Sequence, residues 1–425
     1  MLLLQNILNN CMSEKVEYID KILEISSSYL KETFPSQERF DEFLRSVSVL
    51  RGQEDIQRII CLFTQIYIDF VKQDFQNQYT NTNKQLVDFL ENKDDGIKII
   101  WGNCLDALRG MKSESMHLMV TSPPYYNARE YSQWKNLNDY LKDMRLIIRE
   151  SYRVLDNHRV FVFNVGDIFD NDNISTTSTW GKRRIPLGAY FTQIFEEEGF
   201  TFVDNFIWDK GEVQSERHKN GNKPFPFYQY PMNCYEHILI FHKHRKDATR
   251  YPCPVCGCLK VNGNAYSEIG LKSWECKNLE CFERSKANRG KRFTLKTIMT
   301  QGRQDEKYAI EKDFIQKWRR DIIKITPVIK INSKGENTLG HTAPFPIDIP
   351  EFAVKMFSYS GDVVLDPFGG SFTSVIAAKQ LGRIGVAIEL NKDMFGKSSM
   401  QNLKKALQPQ IFNASQVTIS EISLL

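Results

Sequence analysis

The chain has 425 residues, 41% of them apolar and 25% charged, with a net charge of +4 and nine cysteines. That length leaves room for two or three domains and a large core, and no apolar run approaches the roughly 18–20 residues of a membrane span. The opening MLLLQNILNNCMSEK carries no basic leader and too short an apolar run for a secretory signal, so a cytosolic (cytoplasmic) protein is expected.

In chain order, residues 1–76 read as helical. The stretch 39–75 places Phe, Leu, Val and Ile at mixed three- and four-residue spacings, with few glycines. NQYTNTNK (77–84) is a polar break, and QLVDFLENK after it is a shorter helix. Nothing in residues 1–95 points to chemistry; bracing a sheet is their default role, with DNA contact and self-association as the alternatives.

From about Lys98 strands alternate with helices. IKIIWGN (97–103), HLMVTSPPY (117–125) and RVFVFNVGD (159–167) are strands; LNDYLKDMRLIIRESYRVL (137–155) and GAYFTQIFEEEGF (188–200) are amphipathic helices. TFVDNFIWDK and CYEHILIFHK read as two further strands. Residues 245–335 interrupt this rhythm, which resumes in DVVLDPFGGSFTSVIAAKQLGRIGVAIELN (362–391) as strand, glycine turn, helix, strand. Such alternation predicts a parallel, helix-covered sheet.

The interrupting segment is also the basic one. Residues 210–330 hold 25 Lys/Arg against 13 Asp/Glu, so the rest of the chain is net acidic. A basic middle points either to a polyanionic partner or to a solvated face, and charge alone does not choose.

In VVLDPFGGSFTS, Gly369 and Gly370 follow a buried strand and open a helix, where a ligand can approach backbone N–H groups. The next strand ends at Glu389, an acid placed to accept hydrogen bonds from both hydroxyls of a ribose. An adenosine-type cofactor is therefore expected. The G-x-G-x-x-G of nicotinamide enzymes is missing, and Asp366, Pro367 and Phe368 stand in the turn instead.

TSPPY (121–125), taken with DPFGGSFTS and GVAIELN, resembles the amino-directed DNA methyltransferases that use S-adenosyl-L-methionine. The order, with TSPPY first and the DPFGG turn late, is similar to their circularly permuted β group. The likeness runs from about Lys98 to Leu407 and takes in RRIPLGAYFTQIFEEEGF, FIWDK, YEHILIFHK and HTAPFPIDIPEFAVKMF in the family's order. It implies an α/β, Rossmann-like methyltransferase fold with a mostly parallel central sheet. It divides the chain into an N-terminal helical region (1–95), a catalytic part (96–244), a target-recognition region (245–335), a cofactor-binding part (336–408) and a C-terminal tail (409–425).

The same resemblance gives each motif a role. An exocyclic base amine is a poor nucleophile because its lone pair is delocalised into the ring. Acceptors for its N–H groups, Ser122 Oγ and the Pro123 carbonyl, favour a pyramidal nitrogen. Pro123 and Pro124 stiffen the backbone, and Tyr125 offers a face for a base flipped out of the helix. On the cofactor side, Asp366, Phe368, Gly370 and Ser371 are expected around the methionine part, with Thr121 and Asn391 nearby and Glu389 on the ribose. His341, Thr342 and Phe345 of HTAPF are expected to close over the methionine end. Asn103 stands where the family usually has an Asp near the adenine, and Phe372 departs from the usual Gly-Ser-Gly-Thr in a way expected to narrow the turn.

Ser122 in place of Asp is the pattern associated with cytosine N4, whereas Asp-Pro-Pro-Tyr is the commoner adenine-N6 form. Carbon-5 methylation needs a cysteine nucleophile, usually Pro-Cys, and Pro252-Cys253 is the only such pair. The reading is thus a sequence-specific cytosine-N4 methyltransferase acting on double-stranded DNA, bacterial or phage-encoded and nucleoid-associated, in a restriction-modification system with a cognate endonuclease. The alternatives are an adenine-N6 enzyme, an inactive zinc-containing DNA-binding relative, and an enzyme acting on RNA or a protein amide.

Five of the nine cysteines fall within residues 253–281. Cys253-x2-Cys256 and Cys276-x4-Cys281 match the ligand spacing of a structural zinc site, with Gly257 for the tight turn and Cys258 as a spare that could replace Cys256. The alternative is a set of free buried thiols, as expected for Cys11, Cys61, Cys104 and Cys234. RSKANRGKRFTLK (284–296) follows at once, and Arg284, Lys286, Arg289, Lys291 and Arg292 are the expected DNA-phosphate contacts. On this reading zinc holds a scaffold that presents residues 284–330 to DNA.

Overall fold

A computed structural model describes residues 17–92, 96–126, 134–169, 184–211, 225, 233–245, 249–267, 270–282, 290–301, 303, 309–328, 346–407 and 418–424. In chain order the strands are β1 (Ile97–Trp101), β2 (Met116–Thr121), β3 (Leu155–Val165), β4 (Ile168–Phe169), β5 (Arg184–Ile185), β6 (Phe200–Asp209), β7 (Tyr235–Lys243), β8 (Val261–Ser267), β9 (Gly270–Cys276), β10 (Arg292–Phe293), β11 (Ile322–Lys324), β12 (Val363–Asp366), β13 (Ile384–Glu389) and β14 (Ile419–Ser423). They fall into two compact units, one made of Thr80–His244 with Ile310–Leu425, the other of Met1–Tyr79 with Arg245–Ala309.

The first unit is built on a sheet of order β11-β6-β7-β3-β2-β12-β13-β1-β14. β7 runs antiparallel to both its neighbours, β3 and β6, and the other pairings are parallel. β1 is buried along its whole length, as a strand covered by helices on both faces must be. On one face the helices Leu137–Val154 and Leu187–Glu197 set Met144, Ile148, Phe191 and Phe195 against Met119, Phe161 and Phe163. On the other, the helices Asp348–Phe357 and Thr373–Gln380 set Phe352, Val354 and Ala378 against Leu118, Val120 and Val162. The helix Leu137–Val154 starts where Asn136 accepts a hydrogen bond from the Asp139 N–H, and buries Tyr140, Met144, Ile148 and Ser151 at its three- and four-residue spacing.

β12 lies inside the sheet, next to its middle strand β2, although it comes late in the chain. From β12 the chain crosses through the helix Thr373–Gln380 to β13 on one side; from β2 it crosses through Leu137–Val154 to β3 on the other. The boundary between β2 and β12 is therefore the switch point of the sheet, where doubly wound folds open a crevice for ligands.

Three expected boundaries are corrected. The tail 409–425 contains β14, which lengthens the sheet beside β1, and Trp101 Nε1 donates to Glu421 at 2.8 Å. Residues 310–328 belong with the sheet rather than with a recognition region: β11 pairs with β6, and Trp318 stacks on Phe352 at 4.1 Å. The N-terminal region 1–95 is not one element either. Its helix Lys84–Glu91 buries Leu86 in the sheet unit, while the helices before it belong to the second unit.

In that second unit the helices Tyr18–Thr33, Gln37–Val47 and Ile56–Gln76 close on a cluster of Phe34, Phe43, Phe63, Tyr67 and Phe70 with largely edge-on rings. Leu259, from the cysteine-bearing segment, is buried in the same core. The apolar faces expected to brace a sheet are filled by one another and by that segment. β8, β9 and β10 form a small antiparallel sheet beside it. Among the described residues no helix is long and apolar enough to cross a membrane.

Candidate active site

Three neighbouring parallel strands end side by side with the expected site residues: β2 at Thr121, β12 at Asp366 and β13 at Glu389. Thr121 Oγ1 donates to Asp366 Oδ1 at 2.5 Å, Ser374 Oγ donates to Oδ2 at 2.6 Å, and the Phe368 N–H reaches Oδ1 at 3.0 Å. Burial pushes the Asp366 carboxyl up to about 6, against the pull of these donors. Asp366, expected near the methionine part of the cofactor, also fixes the glycine turn and ties it to β2 through these hydrogen bonds.

Glu389 holds that turn from the other side. Its Oε2 accepts from the Gly370 N–H and its Oε1 from the Asn391 N–H, both at 2.8 Å. Each carboxylate oxygen keeps a second lone pair, so two vicinal ribose hydroxyls can still be accepted. A Cβ on Gly369 would meet Ala387 Cβ at 2.9 Å, which makes glycine necessary there. Ser371 and Thr373 hydroxyls lie 2.9 Å apart at the start of the helix.

Phe372 adopts φ +63°, the left-handed conformation that suits the glycine usual at this place. Its ring is fully buried, edge-on to Trp101 at 5.8 Å, and packs against the turn itself, with Cε1 3.1 Å from where a Cβ on Gly369 would stand. Asn103 is exposed and its Oδ1 caps the helix Cys104–Gly110, accepting from the Leu105 N–H at 2.9 Å and the Asp106 N–H at 3.4 Å. The expected adenine contact thus has its oxygen committed to a helix end.

Beyond β2 the Ser122–Tyr125 turn is held by residues that the motif alone does not reveal. Tyr125 donates its hydroxyl to Glu236 Oε2 at 2.7 Å, Lys210 Nζ lies 3.1 Å from Glu236 Oε1, and Ser122 Oγ stands 3.4 Å from the Tyr125 hydroxyl. Desolvation, reinforced by the Glu236 charge, holds the Tyr125 hydroxyl well above its ordinary pKa, so it stays protonated and donates. Tyr140 donates to the Pro124 carbonyl at 3.0 Å, pinning the turn one residue beyond the carbonyl expected to act, that of Pro123. A Cβ on Gly166 would meet Glu236 Cγ at 2.9 Å and Tyr125 at 3.4 Å, so the bare glycine lets these two align.

Glu236, Lys210 and Gly166 lie inside YEHILIFHK, FIWDK and RVFVFNVGD. The signal that would have found them is the antiparallel register of β7 with β6 and β3, which sets Trp208 opposite Glu236 and Val165 opposite His237. His341, Thr342, Phe345, Arg284, Lys286 and Arg289 lie outside the described residues. Lys291 and Arg292 are in the second unit, where the Lys291 carbonyl accepts from the Cys276 N–H at 2.9 Å and Arg292 Nε lies 3.4 Å from Glu275. Cys253, Cys256, Cys276 and Cys281 are brought together there, each buried.

Residues 116–398 match the DNA methylase family N6_N4_Mtase. The Type II beta methyltransferase M.BslI of Bacillus sp. (strain NEB-606) is 38% identical over 352 residues, which is 83% of this chain but only 32% of that longer protein. The Type II methyltransferase M.MjaI of Methanocaldococcus jannaschii is 26% identical over 341 residues, 70% of this chain and 88% of that one. TTHA0409 of Thermus thermophilus, solved in complex with S-adenosyl-L-methionine, shares the fold, with a TM-score of 0.50 and 21% identity over 77% of this chain and 98% of that chain. With its glycine turn, permuted sheet and TSPPY turn in register, this chain belongs to the N6_N4_Mtase family of DNA methylases.

Proposed function

We propose that the protein methylates the exocyclic N4 of cytosine at a specific sequence in double-stranded DNA, using S-adenosyl-L-methionine. The observation that carries this is the Ser122–Tyr125 turn. It places a serine hydroxyl beside a tyrosine hydroxyl anchored on Glu236, at the end of the strand next to the cofactor-type turn. Glu389 and the N–H groups around Gly370 suit an adenosine group, which when bound would supply an activated sulfonium methyl. Because that methyl is already electrophilic, the protein's task is to place and deprotonate the amine.

The Tyr125 ring receives the flipped base, and Ser122 Oγ and the Pro123 carbonyl accept its two N–H groups. As the N–C bond forms the nitrogen sheds one proton to Ser122 Oγ. Ser122 passes its own proton to the Tyr125 hydroxyl, and Tyr125 passes its proton to the Glu236 carboxylate. Lys210 Nζ lies 3.1 Å from Oε1 of the same Glu236 carboxylate and holds it in place. A neutral hydroxyl at position 122, instead of an aspartate, favours cytosine N4 over adenine N6. Lys291 and Arg292, with Arg284, Lys286 and Arg289, supply phosphate contacts that set register on the duplex. In a restriction-modification pair a cognate endonuclease would share the site.

Mass analysis of nucleosides from DNA incubated with the protein and S-adenosyl-L-methionine tests this. N4-methylcytosine is the expected product. N6-methyladenine would overturn the cytosine assignment, and no methylated base would overturn the activity itself.

A further inference from the structure

The Sγ atoms of Cys253, Cys256, Cys276 and Cys281 all lie within 4.8 Å of one another, and all four residues are buried. Cys256 and Cys276 are 3.7 Å apart and Cys253 and Cys281 4.0 Å, with no disulfide among them. A tetrahedral zinc with Zn–S bonds of about 2.3 Å has S–S edges of about 3.8 Å. Cys258 Sγ is 3.3 Å from Cys256 and 3.9 Å from Cys276, yet it does not converge with all four.

The turn carrying the first pair is tightly made. The Gly257 N–H donates to the Cys253 carbonyl at 2.8 Å, and the Cys253 N–H to the Cys258 carbonyl at 3.0 Å. Asn278 Nδ2 lies 3.8 Å from Cys256 Sγ, an outer donor of the kind that steadies a ligating thiolate.

This turn is also the floor on which the helix Tyr18–Thr33 sits. Tyr18 donates its hydroxyl to the Cys256 carbonyl at 3.3 Å, 238 residues away in sequence. The buried Ser26 hydroxyl accepts from the Leu259 N–H at 2.9 Å, and Lys21 pairs with Glu280 at 2.7 Å. Gly257 has φ +74°, and a Cβ there would meet Ile22 Cδ1 at 2.7 Å, so helix and turn meet with no room for a side chain. Leu259 is buried in the helical core, while Ile25 and Ile68 of the helices pack on the cysteine cluster.

We propose that Cys253, Cys256, Cys276 and Cys281 bind one structural zinc ion, and that this ion controls the folding of the N-terminal helices 18–76 as well as its own loop. A closed four-thiolate site offers no open position for catalysis, so its contribution is structural. Its ligands are pre-assembled only in the folded chain, so binding energy becomes folding energy for whatever packs on the turn. Leu259 is part of the helical core and Ile25 and Ile68 are part of the cysteine cluster's packing, so helices and turn share one buried interior. The inference does not depend on the methyl-transfer reading.

Elemental analysis of the full chain, purified under reducing conditions without added metal, should find about one zinc per chain. Cys276→Ser and Cys281→Ser should lose it, while Cys258→Ser and Cys61→Ser keep it. Amide hydrogen exchange, in the chelated protein and separately in a Cys276→Ser/Cys281→Ser variant, should speed up at least about tenfold in helices 18–33 and 56–76, together with residues 251–276. β2 and β12 should stay protected. The proposal is overturned by protein that carries no zinc, by loss of zinc from Cys258→Ser but not from Cys281→Ser, by helices whose protection survives metal loss, or by loss of protection that spreads to β2 and β12.

Discussion

Thr121 Oγ1 donates to Asp366 Oδ1 at 2.5 Å, joining residues 245 positions apart across the boundary between β2 and β12. One residue precedes the Ser122–Tyr125 turn and the other opens the glycine turn, so the hydrogen bond couples the two halves of the site. Thr121→Val keeps the shape but removes the donor, leaving a buried carboxylate under-satisfied at a cost of roughly 1–3 kcal/mol. Cofactor affinity by calorimetry and the methylation rate should both fall, and Thr121→Ser should restore most of each. Wild-type values in Thr121→Val would contradict the coupling.

The raised pKa of Asp366 predicts a pH dependence of stability. The folded state holds this proton more tightly than the unfolded chain does, because burial opposes the charge. Its contribution therefore favours the folded state in acid and is lost as pH rises from about 4 through about 6. Asp366→Asn should gain on the wild type across that window in urea midpoints measured at closely spaced pH. A difference that does not change with pH would contradict the assignment.

Glu236 should act through Tyr125. Tyr125→Phe keeps the ring for stacking and removes the hydroxyl that reaches Glu236; Glu236→Gln keeps an acceptor but no longer takes a proton. Both should lower kcat by about 10²-fold with a small change in KM for DNA. Tyr125→Ala should raise KM as well, since the stacking face is lost. If Glu236→Gln kept the parental kcat, its part in the proton path would be excluded.

Phe372 sets a strained backbone against a filled core. Phe372→Gly relieves the left-handed residue by roughly 1–2 kcal/mol but deletes a fully buried ring, which costs about 3–5 kcal/mol. A net loss of stability is expected in chemical denaturation. A more stable variant would show that the ring contributes little to the packing around Trp101.

The strand–helix alternation and both turns were legible because their signals are local: an apolar run ending in Thr121-Ser-Pro-Pro-Tyr, and another ending in Asp366-Pro-Phe-Gly-Gly. What escaped depends on distant pairing. Glu236 gains its meaning only from the register that sets β7 beside β6 and β3. β14 reads as a tail until β1 is there to pair with it. The side chain of Phe372 could not be assigned to the core without Trp101 opposite. The helices 18–76 read as a brace for the sheet, because the residues that complete their core, Leu259 and the turn at Gly257, come about 200 positions later.

The central claim is that the turn at residues 122–125 presents a base amine to the methyl donor held at β12 and β13. It is tested most directly by transfer of labelled methyl from S-adenosyl-L-methionine into DNA by the parent and by a Ser122→Ala/Tyr125→Ala variant, with cofactor binding measured on both. The account predicts label in DNA with the parent, almost none with the variant, and cofactor binding retained by both. Transfer by the variant at the parent's rate would contradict it.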